Sequence, residues 1–99
     1  MALSEKQRKY LRRLAHPLTP LIAIGQAGLT ENLVQETARA LHDHELIKVR
    51  ARGAQREARN ALFAQLATRT LSELVQRIGH VAVLYRRRPE LPKILIPEA

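Results

Sequence analysis

The sequence contains no cysteine. Disulfides, thiolate zinc sites and cysteine nucleophiles are therefore excluded. Aromatic residues make up only 3% of it, so a core has to be assembled from Leu, Ile, Val and Ala. No apolar run approaches the ~20 residues of a membrane span. The opening MALSEKQRKYLRRLAHP lacks the uninterrupted apolar stretch of a signal peptide, and the expected location is cytoplasmic. G-x-S-x-G and Walker patterns are missing, and Ser4 and Ser72 stand in no catalytic motif. Catalysis and cofactors are not expected. Acidic residues are scarce as well: 9 Asp plus Glu stand against 17 Lys plus Arg, a formal net charge of +8. An excess that large on 99 residues points to a polyanionic partner, either nucleic acid or an anionic membrane surface.

Apolar residues are plentiful, at 45%, an ordinary share for a globular chain. The length suits one domain, expected over 1–99 with a core at about 3–87 and a short proline-bounded tail at 89–99. Ser4 is placed to cap a first helix reaching about Ala15. Leu3, Gln7, Tyr10, Leu11 and Leu14 form its inward stripe, with Lys6, Lys9 and Arg13 on one flank and Arg8 and Arg12 on the other. His16-Pro17-Leu18-Thr19-Pro20 stops it. Leu21–Ile24 is a short apolar run that suits a buried strand.

Thr30 caps a second helix ending near His42, with Leu29 and Val34 spaced as a hydrophobic staple. Its inward face is Leu33, Val34, Thr37, Ala38 and Leu41. Glu45–Arg52 alternates as a strand, placing Ile47, Val49 and Ala51 on one face and Lys48, Arg50 and Arg52 on the other. A third helix runs from about Gln55 to Thr70, with Ala58, Ala61, Leu62, Gln65 and Leu66 inward. Glu73–Ile78 and Val81–Arg86 form a hairpin around Gly79-His80. Two-residue spacing sets Ile78 opposite Val81, Gln76 opposite Val83 and Leu74 opposite Tyr85 as the core face, where Gln76 fits poorly. Arg77, Val75, Leu84 and a Glu73–Arg86 pair take the other face. Ile94–Ile96 suits a short edge strand.

The order α-β-α-β-α-β-β, with right-handed crossovers, predicts a two-layer α/β domain with a four-stranded mixed sheet. Tyr10 and Tyr85 fall on core faces. His42-Asp43-His44-Glu45 superficially resembles a metal cluster, but two histidines two residues apart share no helical face and no third ligand is evident; no metal is expected.

Gly25-Gln26-Ala27-Gly28 joins a strand to a helix start. Glycines permit a tight turn and close approach of a polyanion, and the first amides of a helix, with the positive end of its dipole, face outward there. Three like charges in a row, Lys48, Arg50 and Arg52, repel on a sheet face unless an anion lies nearby. Arg86-Arg87-Arg88 adds a third basic segment.

Leu14-Ala15-His16-Pro17-Leu18, Ile24-Gly25-Gln26-Ala27-Gly28-Leu29-Thr30-Glu31, His44-Glu45-Leu46-Ile47-Lys48-Val49, and Val75-Gln76 with Ile78-Gly79 and Val83-Leu84-Tyr85-Arg86 occur in order over about residues 3 to 87. Together they resemble the signature of the CRM domain family, typified by small YhbY-like proteins. The resemblance implies a stand-alone RNA-binding domain associated with precursors of the large ribosomal subunit. It implies a fold similar to the C-terminal domain of translation initiation factor three, with strand order 1-2-4-3 and the last strand antiparallel. The family's GxxG loop is likened to that of KH domains, which clamps the nucleic-acid backbone. The KH loop joins two helices, whereas this one follows a strand, and Gln26 and Ala27 carry no charge, so contact from it is expected through the backbone.

The expected RNA-binding residues are Gly25, Gln26, Ala27, Gly28 and Thr30 in the loop, with Lys6, Lys9, Arg12, Arg13, Lys48, Arg50, Arg52, Arg86, Arg87 and Arg88 around it. The expected partner is ribosomal RNA in large-subunit precursors, with the free protein a monomer. The alternative is a protein–protein adaptor whose basic faces dock acidic partners. A membrane role is not expected, because the apolar face of the first helix is narrow and needed by the core.

Overall fold

The computed structural model describes residues 2–53 and 55–98. Three helices and four strands follow in the order α1 (Glu5–Ala15), β1 (Pro20–Ile24), α2 (Glu31–His44), β2 (Leu46–Ala51), α3 (Arg56–Arg69), β3 (Glu73–Ile78) and β4 (Val81–Tyr85). The sheet order is β1-β2-β4-β3. β1 and β2 are parallel, and β4 runs antiparallel to both neighbours, as expected.

Local chemistry explains the boundaries. The Ser4 hydroxyl accepts the Gln7 amide while the Gln7 side chain accepts the Ser4 amide, a complete capping box on α1. Thr30 caps α2 alone, accepting the Leu33 amide. α2 runs two residues past the expected end and stops where Glu45 turns to φ +64°. Gly79 supplies the positive φ of the β3–β4 turn.

Both faces of the sheet are packed. On one, α2 and α3 bury Val34, Leu41, Phe63 and Leu66 against Ile22, Ile24, Ile47, Val49 and Leu84. On the other, α1 sets Leu11 and Ala15 against Leu46, Val75, Val83 and Tyr85. The expected two layers thus gain a third, partial one. α1 covers only the half of its face nearest Leu46 and Tyr85.

A bulge in β3 creates this second cluster. Ile78 pairs with Val81 and Gln76 with Val83, as expected, but the register then slips, setting Leu74 opposite Leu84 and Glu73 opposite Tyr85. Val75 and Leu74 therefore exchange the faces expected for them. β1 is half-exposed at Leu21 and Ala23, as an edge strand is, rather than a fully buried run. α3 is turned partly from the expected face: Leu62 and Leu66 face inward as expected, but Ala58, Ala61 and Gln65 are exposed, and Phe63 and Ala67 are buried instead. The tail forms no strand; Ile94 and Ile96 pack onto the second cluster.

Glu45 holds that tail. Its carboxylate is fully buried and accepts the backbone amides of Arg88, Lys93 and Ile94. The Gln7 side chain donates to Pro97 O at 3.0 Å from α1. Tyr85, also fully buried, has a hydroxyl with no partner among the described residues. Burial raises its pKa above the usual 10.0, the Glu45 charge adds to this, and Arg87 opposes it. Its neutral form is thus favoured by folding, and that contribution is lost as pH rises above about 10. Tyr85→Phe is expected to stabilise the protein by about 1 kcal/mol, since it deletes an unmatched buried hydroxyl, and to flatten the alkaline limb of a stability–pH curve followed by urea melts.

A candidate RNA interface

Three of the connections and strand ends carrying chemistry meet at one end of the sheet. Ile24 pairs with Ala51, and Ala51 donates to His80 O at 2.8 Å. This gathers the loop after β1, the end of β2 and the β3–β4 turn. The loop is closed by the Gly28 amide donating to Gly25 O at 3.0 Å, and Gly28 has φ +72°. Gly25 needs no such conformation, and a Cβ built on it meets nothing within 4 Å. Its outer side is open to an incoming backbone. Thr30 satisfies the Leu33 amide, and the preceding amides of Glu31 and Asn32 face outward from the helix end.

The loop does not stand apart from the basic strand. Ala23, Gly25 and Gln26 share a hollow of about 340 Å³ with Arg50 and Arg52. Arg50 is half-buried, and its Nε has no partner among the described residues. A desolvated guanidinium donor lacking an acceptor favours an anion beside it.

A larger groove of about 980 Å³ continues along the same face, between α1 and the half of the sheet that α1 leaves uncovered. Lys9, Arg12, Arg13 and Lys48 line it together with Gln76, Ile78, Val81 and Val83. Lys48 Nζ donates to His16 O at 3.3 Å, joining β2 to the end of α1. Lys48 and Arg50 alternate along β2 on this face, opposite Val83 and Val81. Among the described residues, no carboxylate lines the groove or the hollow. From Lys48 to the loop this makes a cationic strip of roughly 13 Å at the ~3.3 Å rise of a strand. The sheet face is therefore neither fully open nor covered, and Arg50 stays accessible.

The other expected basic segment lies elsewhere. Tyr85 pairs with Leu46, at the far end of β2 from Ala51, so Arg86, Arg87 and Arg88 begin roughly 17 Å from the loop. Two of them have structural work. Arg86 donates to Thr70 O at 2.9 Å and to Ala38 O at 3.0 Å. Arg88 donates to His42 O at 2.7 Å and Asp43 O at 3.0 Å, closing the end of α2. The structure does not bring this run to the loop: Arg86 and Arg88 tie α2 and the end of α3 to the sheet. Arg87 is exposed at that far end. Lys6 is exposed on α1 outside the groove lining.

Basic residues not anticipated from the sequence lie beside the loop end. Arg56, Arg59 and Arg77 surround a hollow of about 360 Å³ with Asn60 and Gly79, and Arg59 Nε donates to Gly79 O at 3.2 Å. Their signal was the crossover: α3 begins where β2 ends, so its first turn returns to the loop end. His42 and His44 are exposed, and among the described residues no group of three potential ligands could hold a metal ion. No helix among them is long and apolar enough to cross a membrane.

Comparison with known proteins agrees with this fold. The family model of the CRS1 / YhbY (CRM) domain matches residues 3–86. A "Probable RNA-binding protein" of Pseudomonas aeruginosa is 43% identical over 95 residues, covering 96% of this chain and 91% of its own. An "RNA-binding protein" of Haemophilus influenzae is 44% identical over 95 residues, with 96% and 95% covered. The "Probable RNA-binding protein YqeI" of Bacillus subtilis is 38% identical over 95 residues, with 96% and 99% covered. The solution structure of a hypothetical Staphylococcus aureus protein superposes with a TM-score of 0.83 at 38% identity, covering 97% of this chain and 100% of that one. A family model matched over residues 3–86, relatives of 38–44% identity along nearly the whole chain and a shared fold place the chain in the CRS1/YhbY (CRM) domain family.

Proposed function

We propose that this protein binds ribosomal RNA of large-subunit precursors as an assembly factor, acting in the cytoplasm as a monomer and by binding rather than catalysis. The observation that carries the RNA reading is the shared hollow of the Gly25–Gly28 loop with Arg50 and Arg52. There an exposed backbone turn and the side chains of Arg50 and Arg52 line one small volume. Phosphate is the anion that suits both, taking amide donors from the loop and charge from the strand. The groove beyond extends the contact along a chain of phosphates. RNA binding is also what the relatives' names describe. The ribosomal target comes from the family resemblance.

Two measurements test the reading. Gln26→Asp combined with Ala27→Asp sets two carboxylates at exposed loop positions. The double variant is expected to fold and to lose at least tenfold in RNA affinity, read by fluorescence anisotropy. Unchanged affinity in the folded variant would remove the loop from the site. In lysates, the protein is expected to sediment with large-subunit precursors and to leave them after ribonuclease treatment. Co-migration that survives RNA digestion would favour an adaptor docking acidic proteins.

A further inference from the structure

The groove beside α1 is built for more than phosphate. Its floor is the row Ile78–Val81 and the neighbouring Val83, and an apolar floor offers a phosphate nothing. Gln76 lies on that floor, half-buried, with no side-chain hydrogen bond among the described residues. A core has no use for an amide there. A groove does, because the amide offers one donor and one acceptor side by side. Lys9, Arg12, Arg13 and Lys48 stand round this floor, and among the described residues no carboxylate joins them. The volume, about 980 Å³, is on the scale of clefts that enclose a small organic ligand.

We propose that this groove takes an unpaired RNA base. The base lies with one face on Ile78 and Val81, its edge hydrogen-bonded by Gln76, while the cations hold the phosphates on either side. A paired helix cannot fill such a slot, since its bases are stacked and their faces inaccessible; single-stranded loops and bulges expose them. The target is therefore RNA with unpaired nucleotides. This rests on the RNA reading of the same surface and adds a base-binding step to it.

The test compares three RNAs of equal length by fluorescence anisotropy: a single-stranded 12-mer, the same strand with abasic sites at its centre, and a blunt duplex. The intact single strand is expected to bind about tenfold tighter than the abasic one, the effect of burying roughly 55 Å² of apolar base surface. Ile78→Ser, at a residue 64% exposed, is expected to fold normally and to abolish that preference. Gln76→Leu is expected to erase differences among oligo(A), oligo(U) and oligo(C). Equal binding of intact and abasic strands overturns the slot and leaves the RNA reading standing. Failure to bind any of the three overturns both. If bases bring no gain while an acidic, leucine-containing peptide binds and loses affinity in Ile78→Ser, the groove belongs to a protein partner and the proposal falls.

Discussion

Replacing Lys48, Arg50 and Arg52 together with glutamine is expected to weaken RNA binding about a hundredfold at 0.1 M salt. The magnitude follows from counterion release. On single strands the slope of log K against log salt is about −0.7 for each phosphate neutralised. The six cations of the groove and loop hollow, Lys9, Arg12, Arg13, Lys48, Arg50 and Arg52, give an expected slope near −4 for the intact protein. Removing three leaves a slope near −2, and the lines separate by about two decades in affinity at 0.1 M. Glutamine keeps part of each stem, so a thermal melt within about 5 °C of the parent certifies the fold. A folded variant with undiminished affinity and an unchanged slope would move the RNA path to the hollow of Arg56, Arg59 and Arg77.

The largest effect on stability is expected at Glu45. Glu45→Ala leaves the amides of Arg88, Lys93 and Ile94 without their acceptor and removes the side-chain bonds that help a non-glycine residue keep φ +64°. Each charge-assisted bond is worth about 1.5–3 kcal/mol, part of which water recovers once the tail lifts. A net loss on the order of 3 kcal/mol is expected, or roughly 12–24 °C in Tm for a domain of this size. Limited proteolysis should cut residues 88–98 early in the variant. RNA affinity at low temperature should hold, because Glu45 lies at the opposite end of β2 from the loop. A melt within about 3 °C of the parent would show that the clasp contributes little beyond packing of Ile94 and Ile96.

The elements whose signals are local were legible in the sequence. Ser4, Thr30 and Gly79 are chemical punctuation, and each stands where it was expected to act. The alternation of Ile47, Val49 and Ala51 with Lys48 and Arg50 also reads directly, because a two-residue period has no competing interpretation at that length. The span of α3 read, with Leu62 and Leu66 inward, but the rest of its inward face did not, since alanines surround it and leave that face undetermined until Phe63 finds the sheet. The β3 bulge is invisible for a related reason: Leu74 and Val75 are both apolar, so either fits either face, and packing under α1 decides between them.

The interface was legible in part. The loop and β2 meet because parallel pairing brings their ends together, which topology alone implies. The separation of the Arg86–Arg88 run from the loop did not read, because composition counts charge without its direction. In the fold, the carbonyls of Ala38, His42, Asp43 and Thr70 claim two of its guanidinium groups. Glu45 was hidden by its neighbours, a carboxylate among histidines at a helix end, and only the returning tail reveals its partners.

The bulge in β3 has a further consequence, for self-association. A four-stranded sheet ends in two edges, here β1 and β3, and an unguarded edge is a template on which another copy's strand can pair. β3 is spoiled as a template. Its slip at Leu74–Gln76 breaks the regular ladder, and Arg8 from α1 donates to Leu74 O at 2.7 Å and Val75 O at 3.2 Å. β1 is interrupted as well, beginning at Pro20, which has no amide to donate, and slipping register before Ile22. A cationic chain that must meet a long polyanion is concentrated by it, many copies side by side. Edges that cannot zip together keep that crowding from becoming a fibre.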